Sequence, residues 1–154
     1  MVLCLVFSIG VIAGLRALTA PAVVCWAAHL GWINLHGSHL AVLGSIVTAV
    51  IITTFAIAEL INDKLPATPS RTTAFPLGVR IVTGAISGMA LSIAGGQGIP
   101  LGLVAGIVGA LVGTFGGYQV RHQIVTQLKV KDIGVALTED LIAIGGALLI
   151  VTRF

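Results

Sequence analysis

Residues 81–120, IVTGAISGMALSIAGGQGIPLGLVAGIVGALVGTFGGYQV, hold no Asp, Glu, Lys or Arg across 40 positions. One helical membrane crossing needs about 20 apolar residues, so this stretch reads as two crossings joined at GGQGIP (95–100). A second charge-free interval of 42 residues separates Arg16 from Glu59 and is also two crossings long. The whole chain agrees with its parts: of 154 residues 57% are apolar and 8% charged, with a mean hydropathy of +1.13. A soluble domain carries about a quarter charged residues, so a water-facing globule is excluded and an integral membrane protein is expected.

Outward from these intervals the chain divides into five apolar segments, at about 3–30, 40–62, 80–96, 100–120 with a polar extension to about 130, and 134–152. Their length fits helices; β-barrel strands would be shorter and alternate in polarity. The expected architecture is all-α, a single transmembrane domain over residues 1–154 with five spans. DKLPATPSRTTAFPLGV (63–79) has three prolines and is read as a connector. The first apolar run is kept as a mature span, because Arg16 follows it and a signal peptide has its bases first. On one continuous helix Cys4 and Cys25 would be about 30 Å apart, too far to pair unless the helix folds back.

The few charges act as punctuation. Lys64, Arg71, Arg80, Arg121, Lys129 and Lys131 fall on one side of the five-span arrangement and Arg153 alone on the other. That asymmetry puts the 63–80 and 121–133 loops and the N-terminus in the cytoplasm and the C-terminus outside, with Trp26 and Trp32 as interfacial anchors. The pI of 9.3 therefore reflects topology, and nucleic acid is not expected as a partner. Arg71, Arg80, Arg121, Lys129 and Lys131 could instead meet anionic lipid headgroups.

Glycines four residues apart form flat strips: Gly10 and Gly14, Gly84 and Gly88, Gly102 and Gly106, then Gly109, Gly113 and Gly117. Such strips let helix backbones approach closely. Tight packing within the chain and a homodimer seam both fit. Two segments also share a pattern: GVIAGLR (10–16) precedes a span ending near Glu59, and GTFGGYQVR (113–121) precedes one holding Glu139. With one span between them, these pairs would cross in opposite directions, the layout of inverted-topology repeats in transporters.

Arg16 is the costliest residue, about fourteen residues into the first span, where insertion scales assign roughly 2.5–3.5 kcal/mol. The carboxylates able to offset it are Glu59, Asp63, Glu139 and Asp140. Glu59 and Asp63 stack at i and i+4, where like charges repel unless a cation separates them. Lys64 points about 100° away, so Arg16, Arg71 or Arg121 is the better partner. An interior cluster of Arg16, Glu59, Asp63, Arg121, Glu139 and Asp140 is expected, either as a polar site for an ion or small solute or as charges that only fix helix packing. Pro21 could break the first span beside it.

No nucleophile elbow, P-loop, HExxH or dinucleotide fingerprint is present, so neither an enzyme nor a cofactor is expected. His29, His36 and His39 lack the Cys or carboxylate that would complete a zinc set, and no metal is assigned to them.

Gly10 to Arg16, the string ELINDKLP (59–66) and Thr138-Glu139-Asp140, with Arg121 upstream, resemble the bacterial membrane proteins grouped as domain of unknown function 4126. The resemblance covers most of the chain and implies a small polytopic inner-membrane protein with no established activity.

Overall fold

The structure, a computed structural model, describes residues 1–63, 72–127 and 132–154. Among these residues the chain forms six α-helices: α1 Val2–Leu15, α2 Thr19–His29, α3 Ile46–Asn62, α4 Ala74–Ala94, α5 Ile99–Gln127 and α6 Asp132–Val151. A short 3₁₀ turn, Ala41–Gly44, precedes α3. Helices α4, α5 and α6 are long and apolar enough to cross a membrane, while α1 and α3 are apolar but shorter. Their outward faces carry Val, Ile, Leu and Phe, among them Val104, Val112, Leu141 and Leu149.

Glycine decides which helices meet. A Cβ built on Gly10 would lie 2.5 Å from the Gly106 carbonyl oxygen, and one on Gly84 would lie 2.9 Å from the same oxygen. Gly14 would meet Ala110 and Thr114, and Gly88 would meet Gly102 and Gly106. Backbones of α1, α4 and α5 thus touch along the glycine strips, where dispersion and excluded lipid replace the hydrophobic drive available in water. The strips on these three helices serve packing within the chain.

These contacts also fix direction. Gly10 faces Gly106 and Gly14 faces Thr114, so α1 and α5 run parallel. Arg80 reaches Gly14 while Gly95 meets Val2, so α4 runs antiparallel to α1. Parallel α1 and α5 are not related by inversion, and the inverted repeat expected around GVIAGLR and GTFGGYQVR is not formed.

The first apolar segment is two helices. Arg16 has extended backbone (φ −137°, ψ 110°), which closes α1 at Leu15, and α2 starts at Thr19. Pro21 is the third residue of α2, so the break lies upstream of it; within the first turn its missing N–H removes no helical bond. After the break α2 turns back. Its Val24, Cys25 and Ala27 share one apolar core with Ala90 and Leu91 late in α4 and Ala147 and Val151 late in α6. Thr83, Ser87 and Ala90 of α4 are buried, and α4 packs on α2 as well as on α1 and α5. Cys4 is exposed on α1 and Cys25 buried on α2, and both thiols are free.

Helix α3 then runs antiparallel to α2. Trp26 Nε1 donates to Thr53 Oγ1 at 2.9 Å, and Gly44 packs on Ala28. Trp26 is therefore a packing residue as well as an aromatic near a helix end. The α4–α5 turn needs Gly96 at φ 70°, and a Cβ on the preceding Gly95 would lie 2.6 Å from Val2 and 3.1 Å from Phe154. Both termini thus sit at the same end of the bundle, against the expectation of opposite sides, because the α1–α2 hairpin adds one reversal. From Gly95 to Arg80 α4 rises about 22 Å at 1.5 Å per residue, and from Arg80 to Ala74 about 9 Å more. The hairpin tip is about two-thirds of the way along the bundle.

Gly106→Ala should lose about 1–3 kcal/mol, the usual cost of overpacking, since its Cβ would collide with the Gly84 carbonyl. Gly145→Ala, with nothing within 4 Å, should be neutral or gain up to about 1 kcal/mol of helix propensity. Thermal unfolding of both purified variants in one detergent checks the contrast.

Candidate functional site

Breaking a helix inside an apolar bundle leaves carbonyls without partners at the end of α1 and amides without partners at the start of α2. Each end is met by ionised or hydroxyl side chains from other helices. The Gly14 carbonyl accepts from Arg80 Nη1 at 3.0 Å and from Thr114 Oγ1 at 3.2 Å. The amides of Ala17 and Leu18 donate to the two carboxylate oxygens of Glu59, each at 2.8 Å. Cations and donors therefore sit at the negative end of one helix and an anion at the positive end of the next, the pairing that helix dipoles favour.

Arg16 lies on the break itself. Its residue has no exposed surface, and its guanidinium pairs with Asp63 at the end of α3 and with Asp140 on α6. Its Nε–H has no acceptor among the described residues. Arg80 Nη2 lies 3.8 Å from Glu59 Oε1, which ties α4 to α3 across the tip. Arg121 Nη1 lies 3.6 Å from Glu139 Oε2, and that pair borders the cluster next to Asp140. Glu139 and Asp140 are themselves 9% and 7% exposed, low enough that their charges need these partners.

The six residues expected to converge are thus brought together: Arg16, Asp63 and Asp140 as one group, Glu59 beside it, Arg121 with Glu139 at the margin. Glu59 and Asp63 avoid repulsion by facing different cations and donors. Arg80 differs from expectation. The sequence suggests a loop base that meets lipid headgroups, yet Arg80 is 3% exposed inside α4, too deeply buried to reach a headgroup. The connector is shorter than 63–79 because α4 begins at Ala74. Thr73 at the N-cap and Pro76 in the first turn are start signals that place Arg80 inside a helix. Thr114, also absent from the expected cluster, has no local signal, since it is one hydroxyl in a glycine-rich span. Of the remaining headgroup candidates, Arg71, Lys129 and Lys131 lie outside the described residues, as does Lys64.

The architecture defines a helical bundle with helices long and apolar enough to cross a membrane and a helical hairpin whose tip carries paired charges. Residues 3–153 match the model of the family described as domain of unknown function (DUF4126), and the chain belongs to that family. No curated protein and no solved structure matches it.

Arg16→Ala should cost about 3–5 kcal/mol by leaving Asp63 and Asp140 without their cation, whereas Arg121→Ala, removing a side chain that is 20% exposed, should cost markedly less. Unfolding titrations of the two variants in mixed micelles, compared with wild type, rank the two ion pairs.

Proposed function

We propose that the protein is a small inner-membrane transporter or channel-like protein that passes an ion or small charged solute at the tip of the α1–α2 hairpin. The observation that carries this reading is the broken helix. Non-helical backbone at membrane depth is tolerated only where protein buries it or a water-filled cavity lines it, and transporter sites use such half-helix ends to hold ions. Here the ends are approached by Glu59, Arg80 and Thr114 while Arg16 occupies the break.

Orientation follows from the bases. Lys64 and Arg71 fall in sequence between α3 and α4 and Lys129 and Lys131 between α5 and α6, with Asp63 beside Arg16 closing α3, while Arg153 is at the other end. The positive-inside rule then puts the charged tip in the cytoplasmic half and both termini outside a bacterial plasma membrane. A homodimer and anionic lipids that bind Arg71, Arg121, Lys129 and Lys131 are compatible partners of this arrangement.

A structural role, in which the charges only lock helices, is favoured by one observation: Arg16 is completely enclosed and doubly paired. The two readings separate in reconstituted vesicles. Under transport, wild-type protein dissipates an imposed salt gradient at least tenfold faster than protein-free vesicles. Arg16→Lys, which keeps the charge but cannot span Asp63 and Asp140, loses that rate while remaining folded. If wild-type vesicles match protein-free ones for every salt and solute tried, the transport reading falls and the scaffold reading stands.

A further inference from the structure

The transport reading leaves the charge of the solute open, and the geometry around Glu59 bears on it. Two consecutive backbone amides, Ala17 and Leu18, donate to separate oxygens of one carboxylate at 2.8 Å. They belong to the last residues before α2, a helix of 11 residues whose positive end points at the same carboxylate. Arg80 approaches Glu59 Oε1 at 3.8 Å. The residue just before the two donors, Arg16, is fully buried and its Nε–H has no acceptor among the described residues. This is a cradle for a planar oxyanion, and the anion in it is a side chain.

That side chain is the displaceable part. Its carboxylate keeps 14% of its side-chain surface exposed, against none for Arg16. It is carried by α3, of which only Ala49 and Ala56 are buried and which packs chiefly on α2. By contrast α1, α4 and α5 are locked at backbone distance through their glycines. Gly14, three residues before Ala17, belongs to that lock, whereas the acceptor is on α3, which lies outside it.

We infer that the Ala17–Leu18 amides bind a small monovalent oxyanion of carboxylate shape, which exchanges with the Glu59 carboxylate. At the amides one monoanion replaces another, so Ala17, Leu18 and Arg80 face the same charge as before, while the displaced Glu59 carboxylate stays on α3 and turns to its exposed side. A divalent anion would add a charge beside Asp63 and Asp140 and is disfavoured. This inference rests on the transport reading for its purpose, since it names the solute that would pass the tip.

Nitrate is the probe, because it is planar and monovalent and does not leak through bilayers as a neutral acid at neutral pH. In purified Glu59→Ala protein, 100 mM choline nitrate or choline acetate should restore at least half of the lost melting temperature. Choline sulfate and acetamide should not, and wild type, whose cradle is filled, should not respond. Glu59→Gln, which keeps the side-chain size, carries the same test if Glu59→Ala does not fold. Nitrate flux in vesicles of the Glu59→Gln variant should rise at least fivefold over wild type. Absence of any oxyanion-dependent shift overturns the inference, as does a shift of the same size with choline sulfate. Failure of the two readings can be told apart: salt flux without nitrate-dependent stabilisation removes the oxyanion alone, whereas nitrate-dependent stabilisation with no flux of any salt removes transport and leaves the binding site.

Discussion

Everything near the tip depends on one buried guanidinium. Arg16 cannot rest on a continuous helix in this bundle without a counter-charge, and it obtains two, from α3 and α6. Reaching both requires extended backbone at residue 16, which ends α1 and frees backbone groups on either side. Those groups then dictate the remaining polar positions: a carboxylate for the amides, a guanidinium and a hydroxyl for the carbonyl. The polar atoms are consequences of a single break, and a buried pair of this kind is a stronger constraint on arrangement than a source of stability.

The scaffold that supports the break is made from the smallest residues. Side chains at Gly10, Gly14, Gly84, Gly88 and Gly106 would strike backbone or neighbouring Cβ atoms, so α1, α4 and α5 form a rigid core with no room for rearrangement. Outside it lie α2, α3 and α6. The donors sit between α1 of that core and α2 outside it, and their acceptor is carried by the peripheral α3.

Much of this was legible in the order of residues, and the exceptions have a common cause. The long apolar helices α4 and α5 show because 81–120 carries no charge, and the helix contacts show because glycines recur every four residues. The convergence of Arg16 with Asp63 and Asp140 follows from the cost of a lone charge in hydrocarbon. The break at 16–18 leaves no such mark. Residues 3–30 are apolar throughout, and what ends the helix is supplied by Arg80, Thr114 and Glu59 from distant segments. Reading 3–30 as one rod then placed the termini on opposite sides and made α1 and α5 look inverted. Arg80 was misplaced for a local reason, since the prolines of 63–79 hid a helix start at Thr73.

The partners of Arg16 are separated widely in the order of synthesis. Asp140 is made 77 residues after Asp63. Over that interval the hairpin tip holds a cation with one of its two counter-ions, and α6 has to arrive before the break is neutralised on both sides. The nascent chain therefore needs shelter from hydrocarbon for residue 16 until α6 is released, which ties the order of insertion to the chemistry at the tip.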